Sequence, residues 1–166
     1  MRTGRACAPR SRARGSSVII RPIGPGDRAG WAPLWKGYQA FYERTLPARV
    51  TDRTWARLIR GRELLGALAV GRRGKALGLV HYLFHPATST LGPACYLPDL
   101  VVAPAARGQG VGRQLIDSVA EAARARGAAV LYWQTEEFNG PARRLYERVA
   151  KRSPFVRYQI DLSPKR

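Results

Sequence analysis

Arg107-Gly108-Gln109-Gly110-Val111-Gly112 follows the apolar run Leu100-Val101-Val102 and opens a helix-patterned stretch over 111–126. Three glycines on alternate positions let backbone N–H groups approach an anion with no Cβ in the way. At the head of a helix those N–H groups have no intrahelical partner and sit at the positive end of the helix dipole. A strand, a glycine turn and a helix in that order form a phosphate cradle. Glycine-rich turns also serve as plain connectors, so the glycines alone leave both readings open.

Working outward, Val111, Leu115, Ile116, Val119 and Ala123 make one apolar helical face, and Gly127 ends that helix. Upstream, 94–102 reads as a strand interrupted by Pro98. Proline cannot donate to a ladder, so a bulge or splay is expected there. Before it, 64–70 and 76–84 read as a hairpin turning at Gly71-Arg72-Arg73-Gly74, with His81 in its second strand. A helix is expected from Thr51-Asp52 onward, carrying Trp55, Leu58 and Ile59.

Another helix, headed by Asp27, carries Trp31, Leu34, Trp35, Tyr38, Phe41 and Tyr42 at steps of three and four. That aromatic stripe can pack a core. Trp35, Tyr38 and Tyr42 also have polar handles that could wall a substrate pocket. Val18-Ile19-Ile20 reads as the first strand and 130–134 as a later one. A helix then starts at Asn139 and Pro141, and 155–162 alternates as a last strand.

The 166 residues are one domain's worth, with 45 % hydrophobic residues and a net charge of +18. Such a field favours anionic partners. The positive charge is scattered over helices, however, with no zinc pattern or RNA-binding signature, which argues against a nucleic-acid module. Residues 1–17 hold five Arg and no acid, and read as a basic, disordered tail ahead of a single domain at 18–166. No apolar run approaches the roughly 20 residues of a membrane span. Cys7 and Cys95 match no metal-ligand spacing, so no metal is expected, and few thiols fit a reducing cytoplasm.

The order of strand, glycine turn, helix, strand, Asn139 and Tyr146 resembles the GCN5-related N-acetyltransferase (GNAT) superfamily. Arg107, Gly110 and Gly112 meet its Gln/Arg-x-x-Gly-x-Gly/Ala signature. Leu131-Tyr132-Trp133-Gln134-Thr135, Asn139, Ala142-Arg143, Leu145-Tyr146, Val149-Ala150 and Ser153-Pro154-Phe155-Val156-Arg157-Tyr158 are similar to the branch containing the fungal histone and polyamine acetyltransferase HPA2. The resemblance implies an α/β (α+β) fold with a mostly antiparallel twisted sheet. Six to seven strands and about four helices are expected, with a splay or bulge near Pro98.

It also implies acetyl-CoA as co-substrate, held through Gly108, Gln109, Gly110, Val111, Gly112 and Arg113 together with Arg107, Asn139 and the strand backbone of Leu100, Val101 and Val102. The acceptor would be a small-molecule amine or a protein lysine, and a homodimer by exchange of the last strand is compatible. A lysine-like amine is neutral only roughly a few times in ten thousand at pH 7, so its proton needs an acceptor. By similarity Tyr146 is the general acid toward the sulfur. The Glu-Asp pair of relatives is Pro98-Asp99 here, and Asp99 is the candidate base or ammonium anchor, with Glu136 and Glu137 as alternatives near the end of the neighbouring strand. Trp35, Tyr38, Tyr42, His81 and Glu136 complete the expected acceptor side, with His81 also a candidate proton relay. A catalytically idle acyl-CoA sensor on the same fold is the competing reading.

Overall fold

The computed structural model describes residues 18–162, so the tail read over 1–17 lies outside the described residues. The strands are β1 (Ile19–Pro22), β2 (Leu65–Val70), β3 (Ala76–His85), β4 (Ala94–Val102) and β5 (Val130–Tyr132). The α-helices are α1 (Arg28–Phe41), α2 (Ala48–Arg60), α3 (Val111–Ala125) and α4 (Gly140–Val149). The strands pair in sequence order, antiparallel from β1 to β4, with β5 parallel to β4. The mixed α/β architecture with four helices is the expected one.

Among the described residues the sheet has five strands rather than six or seven. The missing one is 155–162, whose alternating apolar side chains stay in water: Phe155, Tyr158, Ile160 and Leu162 are 84–91 % exposed. Arg157 reaches Gln134 Oε1 (2.8 Å) from this segment, but no backbone ladder forms. Alternation fits a residue run for a sheet, yet a strand also requires a partner edge, and among the described residues this segment lies against none. The second helix begins at Ala48 rather than Thr51, because Pro47 starts it.

Two cores form, one on each face of the sheet. On one face α1 and α2 bring Trp31, Leu34, Trp35 and Leu58 onto Leu68 and Leu79. On the other, α3 buries Val111, Leu115, Ile116 and Val119 against Ala67, Ala69, Val80, Cys95 and Leu97.

The expected irregularity at Pro98 is a bulge. His81 pairs with Asp99 and Leu83 with Tyr96, so β4 spends one more residue than β3 over that step. The extra residue resets the side-chain alternation. Leu97 faces the α3 core, whereas two residues on, Asp99 sits beside His81 on the α1 side. The β4–β5 pairing ends at Tyr96 and Tyr132. Among the described residues, no strand pairs with 97–102 on the side away from β3.

Candidate active site

The unpaired edge of β4 leads through a short 3-10 turn at Pro104–Ala106 into the glycine stretch. Gly108 and Gly110 have φ of 75° and 80°, the left-handed region where a Cβ is strained. These two reversals aim the chain into α3. The first helical bond there runs from Gln114 N–H to the Gly110 carbonyl (3.1 Å), so the N–H groups of Val111, Gly112 and Arg113 precede the helical ladder.

The neighbouring side chains tie the loop down. Gln109 donates to the Ala105 carbonyl (2.9 Å), Arg107 to the Val102 carbonyl (3.3 Å), and Arg113 pairs with Asp117 (3.4 Å). At Gly112 a Cβ would stand 3.1 Å from Leu145 Cδ2 and 3.6 Å from Val102 Cγ2, so α4 packs directly on the head of α3 and the tip of β4. The arrangement fits a pyrophosphate: free donors, positive dipole and cationic flanks converge without side-chain bulk.

Tyr146, the next residue along α4, packs with Leu145 against the α3 core. Tyr146 is half-buried, and its ring meets Trp133 edge-on at 5.4 Å. Burial pushes its phenol up to about 12, with Tyr42 nearby adding to the rise. The group therefore stays protonated through the neutral range. Asn139 stands at the N-cap of α4, but its amide donates to Thr135 Oγ1 (3.0 Å) instead of capping the helix.

From Tyr146 a series of phenols crosses to Asp99. Tyr42 and Tyr38 meet at 5.0 Å between ring centroids, and Tyr38 donates to the Pro98 carbonyl (3.2 Å). Burial, and then the Asp99 carboxylate beside it, raises the Tyr38 hydroxyl well above the ordinary tyrosine range. The Asp99 side chain is 18 % exposed and its Oδ2 lies 3.0 Å from His81 Nδ1, while the Trp31 indole N–H donates to His81 Nε2 (2.9 Å).

His81 is fully buried and Trp35 is 7 % exposed, so both lie beneath the site surface instead of walling it. Among the described residues the indole N–H of Trp35 has no hydrogen-bond partner. Glu136 is exposed. With Phe41, Tyr42, Glu43, Arg44 and Phe138 it lines a cavity of about 270 Å³. Phe41, Glu43, Arg44 and Phe138 were not readable as a site, since they come from the end of α1 and a loop nearly a hundred residues later. The signal for Trp31 was its obligatory N–H donor, which a buried indole must satisfy.

Among the described residues no group of three or more His, Cys, Asp or Glu is placed to hold a metal, and no helix is long and apolar enough to cross a membrane.

A model of the Acetyltransferase (GNAT) family matches residues 31–150, and the chain belongs to that family of acetyltransferases. It is 38 % identical over 144 residues to the D-amino-acid N-acetyltransferase HPA3 of Saccharomyces cerevisiae, covering 86 % of this chain and 89 % of the relative. It is 28 % identical over 148 residues to the uncharacterized N-acetyltransferase YhfO of Bacillus subtilis, covering 88 % and 99 %. Among solved structures, a probable acetyltransferase superposes with a TM-score of 0.79 at 23 % identity, over 89 % of this chain and 99 % of that one. The ribosomal-protein-alanine N-acetyltransferase of Brucella melitensis biovar Abortus 2308 superposes at 0.75 and 25 % identity, covering 88 % and 100 %.

Proposed function

We propose that this acetyltransferase moves an acetyl group from acetyl-CoA directly to the primary amine of a small amino acid. The observation that carries the reading is the unpaired edge of β4 at 97–102 running into the free N–H groups at the head of α3. The N–H groups of 111–113 would hold the pyrophosphate, with Arg107 and Arg113 adding charge, and the Leu100–Val102 backbone would pair with the pantetheine amides. Asn139 would help to hold the donor from the opposite side. Acetyl-CoA, when bound, supplies the acetyl group as an activated thioester.

Asp99 anchors the acceptor's ammonium and takes its proton, directly or through water. The acceptor nitrogen bonds to the acetyl carbon, the carbon–sulfur bond breaks, and Tyr146 delivers a proton to the departing sulfur. The cavity lined by Arg44 and Glu136 offers Arg44 to the carboxylate of an amino-acid acceptor. The relative named a D-amino-acid N-acetyltransferase supports an amino-acid acceptor.

Calorimetry with acetyl-CoA and thiol release over a panel of D- and L-amino acids, polyamines and lysine peptides test the reading. Binding and turnover with amino acids are expected, and Arg44→Ala should raise KM for carboxylate-bearing amines about tenfold while leaving polyamines unaffected. Binding without turnover on any amine would establish an acyl-CoA sensor instead.

Buried phenols impose a pH dependence on stability. Unfolded tyrosine ionises near pH 10, whereas Tyr146 in the fold does so at about 12. Between those values the folded state binds the extra proton, so stability is intact below about pH 10 and falls as pH rises toward 12. Tyr38, Tyr82 and Tyr96 are shifted the same way, chiefly by burial. Urea midpoints at pH 8, 10 and 11 should be level between the first two and drop at the third.

A second copy of the chain is the partner proposed for the exposed apolar segment 155–162, by exchange onto the β5 edge. Light scattering should give twice the chain mass, and deleting 155–166 should return the monomer.

A further inference from the structure

An indole N–H can only donate and a carboxylate can only accept. His81 lies between one of each, with Trp31 Nε1 2.9 Å from Nε2 and Asp99 Oδ2 3.0 Å from Nδ1. Those two partners together determine where the ring proton sits. Nε2 must offer its lone pair to the indole, so the proton is on Nδ1 and points at the carboxylate. The opposite tautomer would set N–H against N–H at one end and lone pair against carboxylate at the other. Both are costly with His81 and Trp31 each 0 % exposed.

We propose that Trp31 is a positioning residue for Asp99, acting through His81. By fixing the Nδ1–H tautomer it keeps a donor on Oδ2, holds the carboxylate in one orientation at the bulge, and leaves its exposed remainder for the acceptor amine. The proposal deepens the function above by taking Asp99 as the group that meets the acceptor. It assigns His81 an orienting role, since both of its ring nitrogens are committed within the core and neither is free to relay a proton. Trp35 and Trp55 pack on Trp31 with ring centroids 5.8 and 5.1 Å away, which fixes the angle of the donating indole.

Nitrogen NMR on protein labelled at histidine reads this directly, because the chain has only two histidines. His85→Gln assigns the signals. The intact protein at pH 7, with no substrate added, should show His81 as a neutral ring protonated at Nδ1 and bare at Nε2. A ring protonated at Nε2, or at both nitrogens, overturns the proposal whether or not the enzyme acetylates amino acids.

Trp31→Phe should leave the Nε2 lone pair without its donor and so move the His81 Nε2 signal, and it should lower kcat at least about fivefold, with KM for acetyl-CoA within about twofold of wild type. Unchanged His81 signals in a folded Trp31→Phe protein also overturn it. His81→Asn keeps an N–H near the Nδ1 position and should retain several times the kcat of His81→Leu. Equal kcat in those two variants, each shown folded by circular dichroism, rejects the orienting role even if Trp31→Phe does not fold.

Discussion

Tyr146→Phe is expected to lower kcat at least about 100-fold, the lower end of what a positioned general acid contributes. The affinity for acetyl-CoA should change by less than about twofold, since the substitution removes one oxygen and keeps the ring against Trp133. Loss of kcat and of kcat/KM in equal measure is the signature of an interaction made only in the transition state. Because burial keeps the phenol protonated up to about pH 12, wild-type kcat should show no alkaline fall attributable to this group below about pH 11. A steady-state pH series on both proteins checks the two expectations together. Matching rates in the variant and wild type would remove Tyr146 as the acid.

The second large effect is expected at the donor side. Gly112→Val places a branched side chain where even a Cβ meets Leu145 Cδ2 at 3.1 Å. Either α4 moves away from the head of α3, or the helix start tilts and its N–H groups lose their common aim. Overpacking of this kind costs about 2 kcal/mol, which for a chain of this size is roughly 5 °C in Tm. The Kd for acetyl-CoA should rise at least about tenfold, or about 1.4 kcal/mol. Calorimetry on the folded variant separates this from global loss of structure. An unchanged Kd would show that the first turn of α3 does not hold the donor.

Much of this site is legible in the residue types themselves. Gly108, Gly110 and Gly112 announce the turn because the backbone there needs left-handed angles and close approach, constraints that glycine alone meets freely. Pro98 marks the bulge for the same reason: a missing donor is a local property. The contacts around Asp99 are not legible in that way. Trp31 and His81 are fifty residues apart, and their meeting depends on the register of β3 and the packing of α1 across it. The aromatic stripe is ambiguous because one helical face serves both purposes. Trp31 and Trp35 close the core, while Tyr38 and Tyr42 emerge toward the site as α1 leaves the sheet. At 155–162 the alternation is present in the sequence, but the partner edge that completes a strand is not.

The bulge in β4 has a consequence for how this protein can change. One inserted residue turns Asp99 to the α1 face while Leu97, Leu100 and Val102 stay with α3. Groups that would meet the acceptor thus grow mainly from α1 and its aromatic core, and groups that would hold the donor from α3 and α4. A single strand divides two largely independent inheritances. Substitutions along α1 would then explore new amines without eroding affinity for the proposed donor.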